Sequence, residues 1–122
     1  MSYKYSDLTY SIIGCAIDVY NELGGGFLEK VYENALMIAL KEQGIAASSQ
    51  KPLKVKYHGQ IVGEYYADIV VENKIILELK AVNRINDEHK AQIINYLKAT
   101  EMEVGLILNF SSTSLEHQRF VN

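Results

Sequence analysis

Cysteine and proline are nearly absent from this sequence, which has one of each, Cys15 and Pro52. A lone thiol excludes a disulfide framework and a paired-cysteine zinc site, and it fits a reducing compartment, so we expect a cytoplasmic protein. Cys15 lies in an apolar run with Ile12, Ile13, Ala16 and Ile17, where a buried structural thiol is the expected role. Residues 1–7 have no apolar core of signal-peptide length, and no later apolar run is long enough to span a bilayer. Low-complexity segments, repeats and linkers are also missing, which leaves the three glycines at 24–26 as the one conspicuous break. So is any excess of positive charge. Twelve basic residues face fifteen acidic ones, for a formal net charge of −3. That balance excludes binding of a polyanion by bulk charge, and any such partner must be met locally.

What is present is 48% hydrophobic and 22% charged residues. This is the composition of one globular domain over 1–122, large enough to bury roughly two-thirds of its unfolded surface without staples. Ser6 is placed to cap a helix over 7–22, with Asp7 at its positive end and Leu8, Ile12, Cys15, Val19 and Leu23 at helical spacing. A second helix is expected over 28–43, closed by Gly44. Leu28, Val31, Ala35 and Ile38 form its stripe, which Tyr32, Leu36 and Leu40 widen.

Strands come next. Leu53, Val55 and Tyr57 alternate with Lys54, Lys56 and His58, and Pro52 at the start suits a sheet edge. Gly59 marks a hairpin turn, and strands over 61–71 and 74–82 flank a short turn at Glu72 and Asn73, giving an antiparallel three-strand meander. Asn86 caps a helix over 87–100 whose apolar face is Ala91, Ile94 and Leu97, and 104–108 reads as a fully buried strand. Strand, helix, strand in that order predicts a right-handed parallel crossover. The tail from Ser111 is expected to add one helical turn over 115–120. The fold class is α/β, with helices packed on a mixed central sheet.

Asp68 stands in the run Tyr65-Tyr66-Ala67-Asp68-Ile69-Val70-Val71, and acids are seldom buried in such surroundings unless paired or bound to a metal. On the next strand Glu78 and Lys80 are two residues apart and share a face. A turn comprising Glu72, Asn73 and Lys74 sets Asp68 opposite Glu78; a two-residue turn puts them on opposite faces. Two carboxylates held close repel unless a cation lies between them, and Mg²⁺ suits such oxygen ligands together with water and phosphate. Lys80 would then stand where an ammonium can orient water or stabilise charge on phosphate. The bland alternative is an exposed strand with Glu78 and Lys80 solvated and Asp68 near a turn.

Two further patterns accompany this one. Gly26, Glu29 and Tyr32 have the form GxxExxY at the start of the second helix, and Gln92 and Tyr96 have the form QxxxY on the third. Helical spacing puts each polar pair on neighbouring turns. His89, one turn before Gln92, reads as an exposed first-turn residue outside the site.

In this order the motifs resemble the small bacterial GxxExxY proteins of the PD-(D/E)xK nuclease superfamily, over about residues 8–110. The resemblance implies a restriction-endonuclease-like αβββαβ core. It implies Asp68 and Glu78 as metal-binding carboxylates, the carbonyl of Leu79 as a further ligand, and Lys80 as the catalytic lysine. Glu29 would be a ligand directly or through water, and Gln92 and Tyr96 would support the site or contact nucleic acid. The cofactor implied is Mg²⁺ or Mn²⁺, and the partner is nucleic acid, DNA ahead of RNA, with no membrane. Ala67 stands where the superfamily name has proline, a tolerant position.

Each helper also has an ordinary role open to it. Glu29 can favour the positive end of its helix, Tyr32 can be core packing, Gln92 and Tyr96 a surface pair, and the three glycines a bare turn. The activity expected is metal-dependent phosphodiester hydrolysis. The alternatives are a non-catalytic binding or assembly module on the same fold, and a plain structural domain with a charged meander. One small domain offers little surface for gripping a duplex, so a homodimer is expected. The acidic excess falls in residues 61–122, which hold nine acids against six bases, Asp68 and Glu78 among the acids. Lys51, Lys54 and Lys56 form a small basic stripe in the neutral half. Phosphate binding should therefore depend on metal.

Overall fold

The structure, a computed structural model, describes residues 4–122, so the first three residues of the amino-terminal stretch lie outside it. The elements run α1 (Ser6–Leu23), α2 (Glu29–Glu42), β1 (Ala47–Tyr57), β2 (Gln60–Val71), β3 (Ile75–Lys80), α3 (Asp87–Thr100), β4 (Val104–Phe110) and β5 (Leu115–Val121). They build a five-stranded sheet in sequence order. Only β3 and β4, joined through α3, are parallel; the other neighbours are antiparallel. No helix of the described residues is long and apolar enough to cross a membrane.

The period-two alternation of strands sorts side chains between the two faces of this sheet. On β3, Ile75, Leu77 and Leu79 join the core under α1 and α2, while Ile76 turns the other way to meet Leu97 of α3. On β4, Val104, Leu106 and Leu108 face α1 and α2. Gly105 serves the opposite face, where an added Cβ would come within 2.8 Å of Ile93 Cδ1, so its bare backbone lets α3 lie close. Ile93 and Leu97 are the buried residues of α3. At roughly 1.5–3 kcal/mol for each fully buried apolar side chain, α3 is held by a narrow contact, and Glu78 and Lys80 of β3 lie on its side of the sheet.

Several expectations hold in detail. Ile12, Cys15 and Val19 of α1 are buried, and Pro52 lies on edge strand β1. Gly44, at φ 73°, closes α2 with its N–H on the Lys41 carbonyl. Asn86 caps α3 by accepting the His89 N–H at 2.9 Å, and His89 Nδ1 accepts the Asn86 N–H in return. The imidazole is thereby used as a cap.

Other expectations are corrected. Residues 115–120 are no helical turn: Leu115–Val121 is β5, paired with β4 from Phe110↔Leu115 to Val104↔Val121. Ser111 and Ser114 reverse the chain through mutual hydrogen bonds, and the open edge of β4 captures the residues beyond that turn. Strand β1 begins at Ala47, because an edge strand with the exposure of this one needs no apolar run. Strand β3 ends at Lys80; beyond it Asn109 bonds both the N–H and the carbonyl of Val82 at 3.0 Å, replacing the ladder with a side chain. Ser6 caps nothing, since Tyr5 takes the cap position without a side-chain bond.

The stripe of α2 is Tyr32, Leu36 and Leu40, while Leu28, Val31 and Ile38 are exposed. Both stripes are apolar, so hydrophobicity alone does not fix the helix's rotation. On α3 likewise Ile93, not Ile94, faces inward.

The link between α1 and α2 is packed against the chain after β4. A Cβ on Gly25 would meet Ser112 Cα at 2.6 Å and the Ser111 carbonyl oxygen at 2.7 Å, both backbone atoms with no freedom to yield. Gly25→Ala is therefore expected to destabilise the fold by about 1–3 kcal/mol. Gly14→Ala, at a helical position with nothing within 4 Å of the new atom, should instead stabilise it by about 0.5–1 kcal/mol. Urea unfolding of the two variants checks the opposite signs.

Candidate active site

The hairpin between β2 and β3 decides the site. Glu72 and Asn73 both take φ 55°, and Lys74 N–H closes on the Val71 carbonyl at 2.9 Å. Val71 then pairs with Ile75, Val70 with Ile76 and Ile69 with Leu77. This is the three-residue turn, the register that sets Asp68 opposite Glu78. Two bonds hold it from outside: Ala46 N–H donates to Glu72 Oε2 at 2.8 Å, and Glu72 N–H donates to the Ala46 carbonyl at 2.9 Å. The register is thus coupled to the start of β1.

Past Ile69 and Leu77 the ladder stops. Leu79 N–H donates instead to Asp68 Oδ2 at 2.8 Å, which fixes the carboxylate against β3. On the other side of β2 the rung that Gln50 and Asp68 would form is also missing from the β1 register, and Gln50 has φ 50°. The buried Glu33 carboxylate holds that kink: only 4% exposed, it accepts from the exposed Gln50 Nε2 at 2.9 Å and pairs with the exposed Lys30 at 2.8 Å. The sheet opens where Asp68 stands.

A cleft of about 340 Å³ occupies the opening. Asp68, Glu78, Leu79 and Lys80 form its base, Gln92 and Tyr96 of α3 one wall, and Glu29 at the start of α2 the rim. The seven residues expected at the site, Glu29, Asp68, Glu78, Leu79, Lys80, Gln92 and Tyr96, all border this one space, whereas Gly26 and Tyr32 do not. Leu79 buries its side chain in the core, so the backbone is what it offers to the cleft. The Lys80 side chain makes no hydrogen bond or ion pair with any described residue. Tyr65 and Tyr66 line the cleft too, and the sequence reading missed them as site residues. A signal was there: two consecutive tyrosines just before a strand aspartate send at least one ring to its neighbourhood.

Burial pushes the Glu78 carboxyl up to about 8, and the neighbouring Asp68 carboxylate adds to the shift; Lys80 pulls the other way without winning. Burial, followed by Glu78, Tyr96 and Asp68, also raises the phenol of Tyr65. Its ring stacks on Tyr96 at 3.5 Å between centroids, and its buried hydroxyl has no hydrogen-bond partner among the described residues. Gln92 Nε2 donates to Tyr96 Oη at 2.7 Å and settles that ring. Burial is likewise the main cause of the upward shift of Tyr96.

The donors at the base are all oxygen, two carboxylates and a carbonyl, and ionising Glu78 there is penalised without added positive charge. Such a set fits a hard divalent cation. Among the described residues no three His, Cys, Asp or Glu side chains gather closely enough to hold an ion between them. Asp68 and Glu78 are a pair, and Glu29 stands apart on the rim.

The residues of the GxxExxY pattern have distinct positions. Gly26 takes φ 102°, Glu29 opens α2, and Tyr32 is fully buried. The Tyr32 hydroxyl donates to the Gly24 carbonyl at 2.6 Å and accepts the Phe27 N–H at 3.2 Å, while its ring stacks on Phe110 at 4.4 Å. Tyr32 is a core residue that staples the glycine turn and so places Glu29.

A search of curated proteins finds no sequence match. Among solved structures, one titled SSO0001 superposes with a TM-score of 0.61 at 17% identity, covering 76% of this chain and 49% of its own. The chain therefore spans about half the length of that protein. An alkaline exonuclease, LHK-Exo from Laribacter hongkongensis, superposes with a TM-score of 0.55 at 12% identity, over 100% of this chain and 72% of its own. These likenesses concern the fold. The family model of the PD-(D/E)XK nuclease superfamily matches residues 6–120, nearly the full length, and the chain belongs to that superfamily.

Proposed function

We propose that residues 1–122 form one nuclease domain of the GxxExxY group, hydrolysing nucleic-acid phosphodiester bonds with Mg²⁺ or Mn²⁺, on DNA ahead of RNA. The observation that carries this is the meeting of Asp68, Glu78 and Lys80 in one cleft, with a carboxylate pair whose full ionisation calls for a cation. PD-(D/E)XK nucleases generally use divalent ions. Asp68, Glu78 and the Leu79 carbonyl would hold the ion here, with Glu29 reaching it through water. A bound divalent cation supplies a Lewis acid for the phosphate and lowers the pKa of water.

The chain's own residues do the rest. Water attacks phosphorus in line as the bond to the leaving sugar oxygen breaks; the attacking water gives a proton to solvent and the leaving oxygen takes one up, while negative charge grows on the phosphate oxygens. Lys80, whose side chain makes no hydrogen bond with any described residue, presents an ammonium to that charge. Gln92 and the stacked Tyr65 and Tyr96 form a wall against which the substrate strand is placed. The buried Cys15 thiol is consistent with a reducing, cytoplasmic setting.

Purified protein should nick plasmid or degrade single strands with Mg²⁺ or Mn²⁺ and not with EDTA. Either ion should raise the melting temperature, and Asp68→Ala should abolish that rise. A shift unchanged in Asp68→Ala removes the cation from this cleft. Wild type that binds the ion yet cleaves no DNA or RNA would make the chain a non-catalytic member of its superfamily.

A further inference from the structure

Away from the carboxylates, Lys54 and Lys56 of β1 and Lys98 of α3 line one concavity of about 490 Å³, together with Thr100 and Glu101. None of the three lysine side chains makes a hydrogen bond or ion pair with any described residue, Glu101 included. All three are exposed, and the buried contact of α3 rests on Ile93 and Leu97, so packing gives no reason to gather them. Like charges on two separate elements repel, and in a chain of net charge −3 they are conspicuous. Such a cluster is useful when an anion crosses it.

Its position says which anion. Leu53, next to Lys54, pairs across the hairpin with Tyr65, which borders the carboxylate cleft, while Lys54 itself stands opposite Glu64. Thr100 lies one turn beyond Tyr96 and donates its hydroxyl to the Tyr96 carbonyl at 2.6 Å. One turn advances about 5.4 Å, and Tyr96 borders one concavity and Thr100 the other, so the two adjoin along α3. We propose that the Lys54, Lys56 and Lys98 concavity holds the sugar–phosphate backbone of the strand whose scissile phosphate lies in the carboxylate cleft. This deepens the nuclease reading and rests on it. It also places the strand's path: along the β1 face of α3, past the Tyr65 and Tyr96 stack, to Asp68.

Binding of a labelled single-stranded oligonucleotide and of a duplex, measured in EDTA across a salt series, tests the groove without cleavage. Neutralising three phosphate contacts should flatten the slope of log affinity against log salt by about 2–3. Lys54→Ala/Lys56→Ala/Lys98→Ala should show that flattening and at least about tenfold weaker binding at low salt. Its cation-induced thermal shift, which reads the carboxylate pair, should stay at the wild-type value. An unchanged salt slope overturns the proposal. So does equal displacement of oligonucleotide by polyglutamate, which would assign the groove to an acidic protein surface. Loss of binding in the triple variant, even if wild type and Lys80→Ala are equally inert, supports the groove while the nuclease reading falls. Metal-dependent cleavage with undiminished binding by the triple variant overturns the groove alone.

Discussion

Lys80→Ala is expected to slow strand cleavage by about 10²–10⁴-fold, the range for removing one positioned charge or proton-handling group from a transition state. The loss should fall on kcat, because Lys80 is assigned to charge that develops as the bond breaks, whereas nucleic-acid affinity is assigned to the lysine groove. The fold should survive, since the Lys80 side chain forms no hydrogen bond or ion pair with any described residue. The cation's thermal shift should also survive and even increase. Lys80 adds positive charge beside the Glu78 carboxylate, so removing it relieves repulsion of a divalent ion. Asp68→Ala and Lys80→Ala thus share a loss of cleavage and differ in cation binding. Equal cleavage by wild type and Lys80→Ala would mean that the ammonium does not act on the phosphate, and a thermal shift lost in both would mean that Lys80 serves only to build the cleft.

How far the site could be read from sequence depended on whether a residue's partner was close along the chain. Glu78 and Lys80 are two residues apart on one strand, so their common face is dictated by strand geometry. The cap by Asn86 is as local, with His89 three residues on. The opposition of Asp68 and Glu78 was not decidable, because it turns on one residue of loop length. That length is held by Glu72 and Asn73 at positive φ and by the bonds from Ala46, 26 residues earlier. The opening at Asp68 was hidden for the same reason: Glu33 and Gln50, which brace the kink, are 17 residues apart. Glu33 looks in the sequence like any exposed helix acid. In α2 two apolar stripes competed, and only contact with β3 and Phe110 chose Tyr32 over Val31. Strand β5 has no apolar alternation strong enough to announce itself and exists because β4 offers an unpaired edge.

Glu78→Gln should make the metal-free protein more stable at alkaline pH while removing its cleavage. The wild-type carboxyl titrates at about 8 in the folded chain against 4.5 ordinarily. Between those values the native state keeps a proton that the unfolded chain has released. Stability therefore falls as pH rises through this window, by at most about 1.4 kcal/mol per pH unit. Below pH 4.5 both states hold the proton and the slope from this group vanishes; above 8 both have lost it and the slope vanishes again. Glutamine has no proton to lose, so Glu78→Gln should melt near the wild-type temperature at pH 5 and well above it at pH 8.5, by several degrees at about 3 °C per kcal/mol. A divalent cation should reverse the order at high pH. It binds the ionised pair, displaces the proton and restores stability to the wild type, while the glutamine variant, lacking one carboxylate, gains little. Melting curves at several pH values, with EDTA and with Mg²⁺, give all four comparisons. A wild-type melting temperature that rises from pH 5 to 8 in EDTA, or that the glutamine substitution leaves unmoved at pH 8.5, would show that Glu78 is already ionised at neutral pH and that no cation is needed to hold the pair together.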